Sequence, residues 1–210
     1  MTGRPRSTAV DDAILQATFE LAERHGYRGL SIEGIAAHSG VAKQTIYRRY
    51  RGKGEVILDA LVAYAAEQLP IPDTGDLRTD LYVLLRATFE AQQGASGVLN
   101  RALATEALQD EQFARLFWER LLQLRRTVVA DMIARARTRG EVGPADDEFL
   151  IDLVFGPMWY RLLFGRETLD KDYAGALADA VVAAARRPGT APGQPESRLA
   201  RDSSGGDVSS

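Results

Sequence analysis

Residues 30–58 read LSIEGIAAHSGVAKQTIYRRYRGKGEVIL, and their spacing decides the fold. Ser31 can cap a short helix from Ile32 to His38, through a single bond, because Gly34 stands where a capping box places Glu or Gln. Ser39-Gly40-Val41 interrupts that pattern, and Ala42 to Tyr50 resumes it as a second short helix closed by Gly52. A helix-turn-helix needs a small residue where its helices cross, a turn glycine able to take positive φ, and apolar residues that fix the crossing. Ala36, Gly40, and the set Ile35, Val41 and Ile46 supply these. Ile46 and Tyr50 lie four apart and share an inward face, which leaves Lys43, Gln44, Tyr47 and Arg48 on faces turned outward.

Charge follows the same division. From Val41 to Lys53 there are five basic residues, Lys43, Arg48, Arg49, Arg51 and Lys53, and no acid. Residues 1–53 hold nine Lys/Arg against five Asp/Glu, so a chain of formal charge -3 is a basic head on an acidic body. A head of that kind is expected to meet a polyanion. A basic run is by itself often a solvated helix face, and the helix-turn-helix spacing argues against that reading here.

The remaining sequence is helical throughout. Asp11–Arg24 places Ile14, Ala17, Leu21 and Ala22 at helical spacing, with Gly26 suited to a left-handed C-terminal position. Further helices are expected over Glu55–Leu69, Asp76–Gln93, 97–108, Asp110–Arg139, Asp146–Phe164 and Asp172–Arg186, about nine in all. In the long one, Phe113, Phe117, Leu121, Leu124 and Val128 mark one apolar face. Pro157 should kink the helix that contains it. No alternating strand pattern occurs. The fold class is therefore all-α: a three-helix head over 1–53, a helical body over 54–186, and a Pro/Gly/Ser-rich tail over 187–210 expected to be disordered.

Several function classes are disfavoured. The chain has no cysteine and two histidines, His25 and His38, each beside a glycine-marked helix end and better read as helix-terminal residues than as ligands. No glycine-rich phosphate loop, HExxH or ExxH motif supports an enzyme on a helical bundle, and no cofactor is expected. No apolar run reaches the roughly 18 residues of a membrane span, and Met1–Val10 lacks the apolar core of a secretory signal, so a cytoplasmic location is expected. An architectural protein that coats DNA without sequence preference is the remaining competitor.

Residues 30–58 resemble the DNA-binding signature of the tetracycline-repressor (TetR/AcrR) family, through Ser31, Ile35-Ala36, Gly40-Val41, Thr45-Ile46-Tyr47, Tyr50 and Lys53. A second stretch, FGPMWYRLLFGRETLDKDYAGALADAVVAA over 155–184, is similar to the C-terminal part of a common branch of that family. Gly54 departs from the pattern, which usually has an acid after the lysine.

With the second short helix in a major groove, Gln44 suits adenine N6/N7 and Lys43 suits guanine O6/N7, while Thr45 suits a thymine methyl or a phosphate. Tyr47, Arg48 and Lys53 fall to phosphates, a role the resemblance supports for Tyr47 and Lys53. The arm Gly3-Arg4-Pro5-Arg6 is a candidate for an adjacent minor groove. The resemblance implies a regulator, usually a repressor, on a palindromic double-stranded operator. It implies a homodimer through the last two long helices, where Ala174, Ala178, Val181, Val182 and Ala185 suit close packing. It also implies an internal pocket for an unknown small-molecule effector. Phe89, Phe113, Phe117, Trp118, Met158 and Trp159 are candidate lining, and the scarcity of buried polar patterning points to an apolar or aromatic effector; Glu90 and Glu106 on central helices would instead favour a cation, although most helix acids are solvated.

Overall fold

A computed structural model describes residues 6–165 and 168–186. The arm residues Gly3-Arg4-Pro5 and the tail 187–210 lie outside the described residues. The described chain is all helix, with no strand. In order the helices are α1 (Arg6–Gly29), α2 (Ile32–Ser39), α3 (Lys43–Arg49), α4 (Lys53–Gln68), α5 (Leu77–Gln92), α6 (Ala95–Ala107), α7 (Glu111–Phe117), α8 (Gln123–Thr138), α9 (Asp147–Phe164) and α10 (Lys171–Ala185). A π turn, Trp118–Leu122, joins α7 and α8 into one rod, so the ten segments make the nine rods expected from the sequence.

Local chemistry sets the helix ends. Ser31 is extended and its Oγ accepts the Gly34 amide at 3.0 Å, the single capping bond expected. Ser31→Ala is expected to destabilise the protein by about 1 kcal/mol, measured by chemical denaturation. Asp76, Asp110, Asp146 and Asp170 cap α5, α7, α9 and α10 in the same way. Gly40 closes α2 at φ 70°, ψ 11°, the left-handed conformation that lets α3 turn across α2. Gly26 also has positive φ, but with ψ at -177° it breaks α1 rather than capping it, and one further turn runs on to Gly29. Helix α9 continues through Pro157 to Phe164.

The apolar residues gather into two cores. One is built from α5, α8, α9 and α10. The other joins Ile14, Ile35, Ile46 and Tyr50 of the head with Val56, Ile57 and Leu58 of α4, Leu99 and Leu103 of α6, and Phe113, Phe117 and Leu121 beyond. The head therefore shares its core with α4, α6 and α7, and Trp159 packs against both cores.

Two expectations about faces are corrected. The apolar stripe Phe113, Phe117, Leu121 is buried, but Leu124 is 42% exposed and Val128 is only partly buried against the core. The π turn inserts one extra residue, so the inner face resumes at Arg125 and Val129 and runs on through Met132, Ile133 and Ala136. In α10, Ala174, Ala178, Val181 and Ala185 are fully buried against their own subunit. A helix rich in alanine and valine on every side carries no pattern that separates its inner face from its outer one.

Candidate functional site

Helix α3 is short and has no side-chain cap at its N-terminus, so its position depends on tertiary anchors. Ile46 is fully buried and Tyr50, the C-cap residue, is nearly so; burial pushes the Tyr50 hydroxyl up to about 12. Arg49 turns back to form an ion pair with Asp11 of α1. One of the five basic residues of the run thus holds α3 in place rather than projecting from it.

The opposite face is open. Lys43, Gln44, Tyr47 and Arg48 are exposed and Thr45 is half-buried. Lys43 pairs with Glu33 of α2, which raises the lysine's pKa and lowers the glutamate's, and its ammonium lies 5.5 Å from the Tyr47 ring centroid. Lys53 starts α4, its ammonium 3.9 Å from the Tyr27 ring centroid and donating to the Tyr27 carbonyl at 3.3 Å. The Tyr27 hydroxyl donates to Glu106 Oε2 at 3.2 Å. Glu106 occupies the space over Gly54, where an added Cβ would come within 2.5 Å of its carboxylate. Where the family pattern has an acid in sequence after the lysine, this chain brings one in space from α6. No sequence spacing signals that substitution, because 52 residues separate the two positions.

His38 Nε2 lies 2.7 Å from Glu20 Oε2, which holds the Glu20 carboxyl below its ordinary range. No group of three or more His, Cys, Asp or Glu among the described residues is arranged to hold a metal ion.

The body holds a partly open cavity of about 230 Å³ between α4, α5, α6, α9 and the start of α8. Trp118, Met158 and Trp159 line it, together with Leu61, Tyr64, Leu121, Phe155 and Gly156. Phe89, Phe113 and Phe117 do not: Phe89 is buried against Tyr173, Phe113 stacks on Phe117, and Phe117 meets Trp159 edge-on at 6.0 Å. These phenylalanines are core. Helical periodicity shows that a residue faces inward but not whether it meets a side chain or a void. Buried polar patterning is scarce in the sequence, yet Thr88, Gln92, Ser96, Asn100, Arg125, Arg126 and Asp152 contribute to the lining.

A three-helix head with an outward-facing short helix, on a helical body that contains a cavity, defines a helix-turn-helix regulator. Residues 14–60 match the family described as bacterial regulatory proteins, tetR family, and residues 71–181 match the tetracyclin repressor-like C-terminal domain. The chain belongs to the TetR family of transcriptional regulators. It is 30% identical over 172 residues to the HTH-type transcriptional regulator YdeS of Bacillus subtilis, covering 81% of this chain and 87% of that protein. It is 32% identical over 179 residues to the DNA-binding transcriptional repressor TetR of Mycobacteroides abscessus, covering 84% and 94%. The crystal structure of the TetR family regulator SCO0332 superimposes with a TM-score of 0.76 at 30% identity, covering 83% of this chain and 97% of that one.

Proposed function

We propose that this regulator is a homodimeric repressor that reads a palindromic duplex operator with α3 of each subunit and leaves it when a small molecule fills the cavity. The observation that carries this reading is the outward face of α3. Gln44 and Lys43 stand at its exposed N-terminal end, where a recognition helix meets base edges, and Tyr47, Arg48 and Lys53 flank it as phosphate contacts. Thr45, half-buried beside them, reaches a thymine methyl or a phosphate. One seven-residue helix reads too few bases for useful selectivity, so two copies are needed. The dimer surface in this reading is the exposed side of α9, with Phe149, Tyr160, Leu163 and Phe164, next to Ala176, Ala180 and Ala183 of α10. Exposed apolar residues of this kind suit a partner copy.

Helix α6 connects cavity and head. It places Ser96 and Asn100 in the cavity wall and Glu106 against Tyr27 and Gly54, beneath Lys53. A ligand that shifts α6 therefore repositions the start of α4 and one phosphate contact, a population shift between DNA-competent and DNA-incompetent states. A fold relative of 15% identity, the regulator FadR of Bacillus subtilis, was crystallised with stearoyl-CoA. No helix among the described residues is long and apolar enough to cross a membrane, and this reading places the protein in the cytoplasm.

The test is to compare the duplexes selected from a random pool by the wild-type protein and by Gln44→Ala. The variant is expected to lose preference at particular base positions by about 1–3 kcal/mol each while the rest of the profile stays. An unchanged profile would remove Gln44 as a base reader.

A further inference from the structure

The cavity wall carries polar groups from four helices, and two of them lack what they need. Asn100 is only 7% exposed; its Nδ2 donates to Gln92 Oε1 at 3.1 Å and to Ser96 Oγ at 3.4 Å, while its Oδ1 is buried with no hydrogen-bond partner. A buried acceptor left in that state is unfavourable and calls for a donor. Arg125 faces the same space, brought to the inner side of its rod by the extra residue of the π turn. It spends one N–H on Thr88 Oγ1 at 3.2 Å, and no described carboxylate pairs with it. Burial pushes its pKa down to about 10, which leaves it charged at neutral pH. The neighbouring Arg126, by contrast, is neutralised by Asp152, at 2.6 Å, and by Glu148. The cation available to an occupant is therefore Arg125.

We propose that the cavity takes a small apolar carboxylate, its carboxylate on the Arg125 guanidinium and a hydroxyl or N–H of its body donating to Asn100 Oδ1. This rests on the reading of the cavity as the effector site. The guanidinium fork matches a carboxylate bidentately. Apart from Thr88, Gln92, Ser96 and the mutually paired Arg126 and Asp152, the rest of the wall is aliphatic and aromatic and accepts the ligand's body. At about eight water volumes, the space suits a molecule of about ten non-hydrogen atoms.

Trp118 and Trp159 are the chain's two tryptophans and both line the cavity, so intrinsic fluorescence of the full chain reports its occupancy. The probes are octanoate, 3-hydroxyoctanoate, 1-octanol and octylamine, titrated at neutral pH. Octanoate is expected to bind about tenfold or more tightly than octanol or octylamine, and 3-hydroxyoctanoate more tightly than octanoate. Arg125→Met should abolish the preference for octanoate over octanol, and Asn100→Leu the gain from the hydroxyl. Equal or better binding of octanol or octylamine to the wild-type protein overturns the proposal, as does absence of binding by all four, and neither result depends on a variant folding. If the ranking holds but octanoate leaves DNA binding unchanged, the carboxylate site stands and the effector reading fails. If a ligand of another charge class releases DNA and the ranking fails, the reverse holds.

Discussion

Gly97→Ala is expected to lower stability by about 3 kcal/mol, the upper range for forcing atoms into a packed interior, and the melting temperature by about 6–12 °C. Gly97 lies in the first turn of α6, just past the sharp corner from α5, and an added Cβ would stand 1.9 Å from the Gln92 carbonyl oxygen and 2.8 Å from its carbon. Backbone cannot swing aside as a side chain can, so α6 must separate from α5. That movement would break the hydrogen bond from Asn100 to Gln92 and deform the cavity wall. Thermal denaturation followed by circular dichroism measures the first effect and tryptophan fluorescence the second. Gly54→Ala provides the contrast: its added Cβ meets the end of the flexible Glu106 side chain, and the expected loss is under about 1 kcal/mol. Comparable losses at both positions would contradict the close approach of α6 to Gln92.

The second large effect concerns DNA. Tyr47→Phe combined with Lys53→Ala is expected to weaken binding by about tenfold to a hundredfold at ~0.15 M salt and to reduce the slope of log affinity against log salt by about 1. The loss should be the same on every sequence, because phosphate contacts position the helix without reading bases. Lys53→Ala also removes the ammonium from the Tyr27 ring, a cation–π contact worth about 0.5–1 kcal/mol at a partly exposed site, too little to unfold the protein. Binding isotherms on several duplexes across a salt series provide the measurement. A loss confined to some sequences would instead make Tyr47 or Lys53 a base reader.

The sequence is most informative where local chemistry determines geometry. The Ser31 cap, the left-handed Gly40 and the inward pair Ile46 and Tyr50 each follow from residue type and spacing within a few positions, so the helix-turn-helix and its exposed face were legible in advance. Long-range features were not. The run of basic residues does not show that Arg49 would be held by Asp11 from another helix, or that Lys43 would pair with Glu33. Periodicity carried the apolar stripe of the long rod as far as Leu121 and then lost it, because a π turn leaves no compositional mark. That single added residue is also why Arg125 faces the cavity, so missing it concealed the polar wall. In α10, Ala174, Ala178, Val181 and Ala185 have the size that suits a dimer surface but are internal, and Val182 is partly buried, since alanines on both sides of a helix give no direction.

Selection of bound sites from random duplex DNA by the full chain, at a stated salt concentration, tests sequence-specific binding by two copies of α3 most directly. An enriched palindrome with half-site centres about one helical turn, ~10 base pairs, or a multiple of it apart is the predicted result. A folded protein that enriches no sequence and protects duplexes uniformly would contradict it.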